Sequence, residues 1–193
     1  MADADRIKWD AKHAAGEPGT MHPAAVLVEY AHLLPPRGHA LDLACGQGAN
    51  ALFLASRGLV TAAWDISGVA IDRLTEAANQ AGLQLQAELR DVVERPPLPR
   101  SFDVITVSRF LDRGLISSLV TALRPDGLVF YQTFLSDSET GPRNPEFRVR
   151  RNELPELFAT LRVLAYHERD TGGEPVTGLR SEAMLVAQKR TGD

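Results

Sequence analysis

The chain has 193 residues, 44% of them apolar and 24% charged, with a formal net charge of −4. A chain of this length can form one domain that buries roughly two-thirds of its unfolded surface. Mild acidity without a Lys/Arg stripe argues against a nucleic-acid partner, and no run of 18 or so apolar residues is present to span a membrane. The basic cluster "RVRR" (Arg148 to Arg151) is too short to change this. The opening "MADADRIKWDAKH" lacks the apolar core of a secretory signal, and a single cysteine excludes an internal disulfide, so a cytoplasmic location is expected.

In chain order, residues 1–20 are polar and read as an arm with Trp9 as its large apolar anchor. "HPAAVLVEYAHLL" (His22 to Leu34) carries apolar residues at helical spacing and stops at "PPRG", which predicts a helix. "HALDLA" reads as a buried strand, "NALFLASRG" as a helix closed by Gly58, and "VTAAWD" as a second strand. In "SGVAIDRLTEAANQAG" a helix begins after Ser67 as N-cap and ends before Gly82. "LQLQAEL" and "FDVITVS" are the third and fourth strands, followed by a short helix from about Gly114 to Leu123 and a turn at "RPDG". "LVFYQTF" is the fifth strand; after a long loop, a helix opens at Asn152 in "NELPELFAT". "LRVLAYHE" and "SEAMLVAQK" are two last strands joined by a helix-free, Gly-rich loop, so they should pair antiparallel. The strand–helix alternation before them implies an α/β fold, a doubly wound and mostly parallel sheet with helices on both faces.

In such sheets ligands bind beyond the carboxyl ends of the strands, where strand order reverses. Four features fall there. Gly46 and Gly48, behind Asp42 at the end of the first strand, allow a tight turn and bare backbone; their plain role is a strand-to-helix turn. Asp65 ends the second strand about 20 residues past the start of the loop, where a carboxylate can accept both hydroxyls of a ribose. Its plain role, N-capping, can be filled by Ser67 instead. Asp91 with Val92 follows the third strand and can meet an adenine edge, or be merely solvated. Ser108, Arg109 and Phe110 form the lip after the fourth strand, where a substrate would meet a cofactor, or simple surface packing.

A P-loop is excluded, because no Lys-Ser/Thr follows the glycines. Gly46-x-Gly48-x-x-Ala51 does satisfy the dinucleotide pattern G-x-G-x-x-G/A. Against it stand Asp42 before the glycines, the second acid after strand three, the helix-free final strands and the lack of room for a substrate domain.

The ordered series "LDLACGQG", "AAWDIS", "LRDVV", "FDVITVSRFL" and "LRPDGLVFYQTF" resembles the motifs of class I S-adenosylmethionine-dependent methyltransferases, over about Ala40 to Lys189. "AWDIS", "NELPELF" and "EAMLVAQK" look most like the small bacterial TehB-type and thiopurine-type members. The resemblance implies a Rossmann-like sheet of seven strands with the last antiparallel, over one domain of residues 1–193. Residues 1–36 would be an arm and helix able to act as a lid, and 37–193 the core. It implies S-adenosylmethionine as cofactor and S-adenosylhomocysteine as product. Ala44, Cys45 and Gly46 would meet the methionine part, Asp42 its amino-acid end, and Asp65 the ribose. Ile66 would pack on the adenine, Asp91 and Val92 would contact its edge, and Ser108 and Arg109 would lie near the sulfonium. Ala44 replaces the usual first glycine, which predicts a negative φ there.

Methyl transfer from a sulfonium is an in-line displacement at an activated carbon, so orientation and exclusion of water are the main tasks. "SRFL" stands where enzymes acting on amide or base nitrogens carry an "NPPY"-type stretch, which favours a small-molecule acceptor: a thiol, a selenium or tellurium oxyanion, or another xenobiotic. No metal is expected, and the chain is expected to act as a monomer or homodimer. Acceptor-side candidates are His22, at the opening of the first predicted helix, Arg109, Phe110 and Arg180. His13 is expected to be solvated in the arm, His167 to be packed or exposed in the sixth strand, and Cys45 to be structural. An NAD(P)-binding oxidoreductase and a non-catalytic cofactor-binding module are the alternative readings.

Overall fold

A computed structural model of the chain describes residues 2–16, 22–138, 141–169 and 181–190. Alternation along each strand decides which side chains meet which layer. In β1 (His39–Leu43), Leu41 and Leu43 enter one apolar cluster while Ala40 enters another on the opposite face. The remaining strands are β2 (Val60–Asp65), β3 (Leu85–Leu89), β4 (Phe102–Ser108), β5 (Leu123–Phe134), β6 (Arg162–Arg169) and β7 (Glu182–Gln188). They form one sheet in the order β3-β2-β1-β4-β5-β7-β6. The pairings from β3 to β5 are parallel, and β7 runs antiparallel to both β5 and β6. The expected seven-stranded, mostly parallel α/β sheet with an antiparallel last strand is therefore the observed one.

Among the described residues six α-helices accompany the strands: α1 (Ala2–Ala15), α2 (Ala25–Glu29), α3 (Ala49–Ser56), α4 (Gly68–Gln80), α5 (Ile116–Ala122) and α6 (Glu153–Leu157). On one face Ile116, Leu119, Leu154 and Phe158 cover Leu41, Ile105, Val129 and Leu185. On the other, Val26, Leu27 and Leu54 cover Ala40, Val104, Phe130 and Val186, while Leu74 packs with Ala51 and Ala63. Full burial of a side chain such as Phe130 or Phe158 contributes about 1.5–3 kcal/mol. Among the described residues no helix is long and apolar enough to cross a membrane.

The ends of the elements depart from the sequence reading for tertiary reasons. Residues 2–15 form a helix, not an arm. Asp3 and Asp5 in its first turn and Lys12 and His13 in its last suit the helix dipole. Its carbonyl end is capped from outside: the Arg73 guanidinium of α4 donates to the carbonyls of His13, Ala14 and Gly16. The helix expected over 22–34 is shorter, with α2 at 25–29 and a separate 3₁₀ turn at Ala31–Leu33. Its start is set by α3 and by the sheet, because Asn50 Oδ1 of α3 accepts the Ala24 N–H and Gln132 Oε1 of β5 accepts the Val26 N–H. "RPDG" lies inside β5, which begins at Leu123 and absorbs Asp126 at φ 63°.

Candidate functional site

β1 and β4 lie side by side, and the chain leaves them in opposite directions, so the switch point of the sheet lies between their carboxyl ends. The loop from Ala44 to Gly48 joins β1 to α3 there. Gly46 and Gly48 have φ of 52° and 76°. Ala44 has φ 53°, so the negative φ expected at this position is overturned. The strain, roughly 1–2 kcal/mol for a residue with a Cβ, is held in place by its neighbours. The Cys45 N–H donates to the Trp64 carbonyl (3.0 Å), and the Gly46 N–H to Asp65 Oδ2 (2.7 Å). At Gly48 a Cβ would lie 2.3 Å from Leu74 Cδ1, so bare backbone packs directly on α4.

Two carboxyls stand on either side of this loop. Asp42 is buried; its Oδ2 accepts the Ala51 N–H (3.0 Å) and its Oδ1 the Asn50 side-chain amide (3.2 Å). Burial pushes its pKa up to about 8 against the pull of those two bonds, with nearby Asp65 raising it further. Asp65 is also buried, and each of its oxygens takes one backbone N–H, from Gly46 and from Ser67 (2.9 Å). Burial raises its pKa too. A carboxylate offers about four lone-pair positions, so Asp65 keeps acceptor capacity for two hydroxyls. Ser67 caps α4 through its Oγ, as expected from the sequence.

Cys45 is buried beside both acids, and burial drives its thiol well upward, away from the thiolate a nucleophile needs. Asp91 Oδ1 accepts the N–H groups of Val93 and Glu94, which is a local turn-capping role. Val92 is buried in the cluster that holds Trp64, and Ile66 is half-buried.

The described N-terminal helix lies against this loop. Ser67 Oγ donates to Asp10 Oδ1 (2.6 Å), which also takes the Val69 N–H. His13 is half-buried rather than solvated: it stacks with Trp9, and a Cβ on Gly46 would lie 3.4 Å from its Cε1. Burial lowers its pKa, and the charge of Asp65 opposes that.

On the other side of the switch point, Ser108 Oγ accepts from Asn50 Nδ2 (3.2 Å). Arg109 has φ 55°; its N–H donates to the Gln132 carbonyl (2.7 Å) and its Nε to Glu182 Oε1 (3.0 Å). Buried Glu182 also accepts from Gln132 Nε2. The Phe110 carbonyl accepts from Tyr131 Oη (2.8 Å). His22 is exposed and precedes α2, so it neither opens nor caps that helix. His167 is half-buried, with Nδ1 3.5 Å from Tyr30 Oη. Arg180 lies outside the described residues.

Sequence reasoning missed Asn50, Gln132, Glu182, Asp10 and His13. Asn50, at the first turn of an otherwise apolar helix, carried a signal: a polar group there must find partners. Gln132 and Glu182 carried the same signal within apolar strands.

Residues 40–127 match the family model described as a methyltransferase domain. Over 151 residues the chain is 28% identical to hemagglutinin 1 of Eikenella corrodens, covering 70% of this chain and 50% of that one. Over 150 residues it is 27% identical to the probable S-adenosyl-L-methionine-dependent methyltransferase TehB of Haemophilus influenzae, covering 74% and 52%. The chain thus spans about half the length of the curated relatives it matches. The TehB crystal structure superposes with a TM-score of 0.73 at 23% identity, over 95% of this chain and 67% of that one. A structure reported for conversion of a disulfide bond into a thioacetal group during echinomycin biosynthesis gives a TM-score of 0.75 at 22% identity, over 98% and 94%.

Proposed function

We propose that the chain is a class I S-adenosylmethionine-dependent methyltransferase of the TehB-like kind and that it transfers a methyl group from S-adenosylmethionine to a small-molecule acceptor; the methyltransferase-domain match and the likeness to TehB support this reading. The observation that carries the reading is the pairing of Asp42 and Asp65 around a loop with three left-handed residues.

The residues fit the cofactor. Asp65 retains lone pairs for two vicinal hydroxyls, where charge-assisted bonds contribute roughly 1.5–3 kcal/mol each. The loop from Ala44 to Gly46 takes the methionine end. Asp42 lies behind that loop, and an ammonium close to it would draw its carboxyl toward the ionised form. Ile66, Asp91 and Val92 border the adenine, and Ser108 the reacting centre. When bound, the cofactor would supply a methyl group activated by its cationic sulfur, with the neutral thioether S-adenosylhomocysteine as the leaving group.

The protein's share is orientation and dryness, and orientation of this kind is worth about 7–11 kcal/mol. In our reading α1 is the cover that excludes water, held by Asp10 on Ser67 and by Arg73 on its carbonyl end. The reading places no general base, which suits a soft nucleophile such as a thiol or a selenium or tellurium species.

Calorimetry with S-adenosylhomocysteine and with NADH tests the cofactor. The expected result is binding of the homocysteine compound alone, and Asp65→Ala should weaken it by at least ~10-fold. Binding of NADH alone would replace this reading with the oxidoreductase. Transfer of labelled methyl to a panel of thiols, selenite and tellurite tests catalysis; tight cofactor binding with no transfer to any acceptor would leave a cofactor-binding module.

A further inference from the structure

We propose that Arg109 selects the methyl acceptor, and that the acceptor is a small organic acid whose carboxylate docks on the free edge of the Arg109 guanidinium. The inference rests on the methyltransferase reading for the word acceptor, though not for the binding of the acid.

Arg109 is the first residue beyond β4, at the switch point of the sheet, and it stands in a left-handed conformation. That conformation is rare for a residue with a Cβ and costs roughly 1–2 kcal/mol. Outliers of this kind cluster where a side chain must be aimed. Here the backbone is locked by the bond to the Gln132 carbonyl, and the side chain reaches Glu182 at the start of β7. Glu182 is only 3% exposed, and Gln132 Nε2 holds its second oxygen. Gln132 is held in turn by the Val26 N–H (3.0 Å). The guanidinium is thus fixed by its Nε edge on a buried, fully braced acid.

Among the described residues neither Nη of Arg109 makes a hydrogen bond, and the side chain is 52% exposed.

Arg113, four residues on, shows what an arginine used only for structure looks like in this protein. It takes Glu153 through both Nε (2.6 Å) and Nη2 (3.1 Å), and its Nη groups also donate to the carbonyls of Glu146 and Arg148. All three guanidinium nitrogens of Arg113 are engaged by the protein, whereas among the described residues Arg109 engages only its Nε. A guanidinium with a free end-on edge matches a planar carboxylate by two parallel N–H···O bonds. The ring of Phe134 lies 5.9 Å from the guanidinium, and half-buried Phe110 follows Arg109 in the chain, so the acid can carry an apolar body.

The test compares benzoate with benzamide, which share shape and differ in charge, by calorimetric titration into protein saturated with S-adenosylhomocysteine. Benzoate should bind at least ~10-fold tighter than benzamide, the ratio expected of a charge-assisted pair. Arg109→Gln should abolish the preference, and Arg109→Lys should keep only part of it, since an ammonium retains charge without the fork. Equal affinity of the two probes for the unaltered protein, or a preference that survives Arg109→Gln, overturns the proposal. The first comparison needs no variant, so it holds even if Arg109→Gln does not fold. Failure of the unaltered protein to bind S-adenosylhomocysteine counts against the methyltransferase reading instead, and the benzoate–benzamide comparison without cofactor still decides the role of Arg109.

Discussion

The two sides of the switch point are built by opposite means. On the side of β1 and β2, the bonds that shape the loop join residues 2 to 19 positions apart: Asp65 to Ser67 and Gly46, Asp42 to Asn50 and Ala51. On the side of β4, β5 and β7, the corresponding bonds join residues 50, 73 and 106 positions apart: Gln132 to Glu182, Arg109 to Glu182, and Val26 to Gln132. A site built from local bonds appears in the sequence as a motif. One built from distant bonds leaves only isolated polar residues in apolar strands. Asn50 joins the two sides, since its amide reaches both Asp42 and Ser108 while its oxygen holds the Ala24 N–H.

The largest expected effect tests the local side. Gly48→Ala places a Cβ against fully buried Leu74 at a left-handed position, and it should cost about 3 kcal/mol of unfolding free energy in urea titration. A loss below about 1 kcal/mol would mean that Leu74 gives way freely and that the loop is less constrained than its geometry implies.

Next comes the residue that joins the sides. Asn50→Ala removes three hydrogen bonds and leaves Asp42 and the Ala24 N–H short of a partner, for a loss of about 2–3 kcal/mol. Cofactor affinity should fall with it. A change confined to stability would show that the two sides are not coupled through this amide.

pH separates the sides by sign. Asp42 rises on folding from 3.8 to about 8, and Asp65 also rises, so the folded state holds more protons than the unfolded state between those values. Asp42 makes stability fall as pH climbs from about 4 to about 8, and Asp65 acts in the same direction above its ordinary value. Glu153, lowered by its bond to Arg113, contributes in the other direction: its stabilisation is present above its ordinary value and lost as pH drops below it. Urea titrations at pH 5.5 and pH 8 should show the first trend, and Asp42→Asn should flatten it. A stability that rises over that interval would contradict the protonated Asp42.

The smallest effect is a gain. Ala44→Gly relieves the left-handed alanine at the cost of a more flexible unfolded chain, and it should raise stability by about 0.5 kcal/mol. A loss would show that the Ala44 methyl makes packing contacts worth more than its strain.

The strands, their order of appearance and the capped helix α4 were legible because periodicity and a Ser67 cap are local signals. Asp42 and Asp65 were legible as acids at strand ends. The helix over residues 2–15 was not, because its apolar content is too low to mark a face and its docking depends on Arg73, reached across the fold. The shortening of the next helix was hidden for the same reason: its first N–H groups are claimed by Asn50 and Gln132, far along the chain.

By itself the sequence determined the alternating sheet, its antiparallel close and the loop flanked by two acids, because each depends on residues close together in the chain. Only the tertiary structure decided that Ala44 adopts a left-handed turn, that α1 lies on the glycine loop, and that Arg109 is braced by a buried Glu182 while, among the described residues, its other edge stays open. Those outcomes depend on which distant groups meet and lose their water, and proximity of that kind arises only when the chain closes on itself.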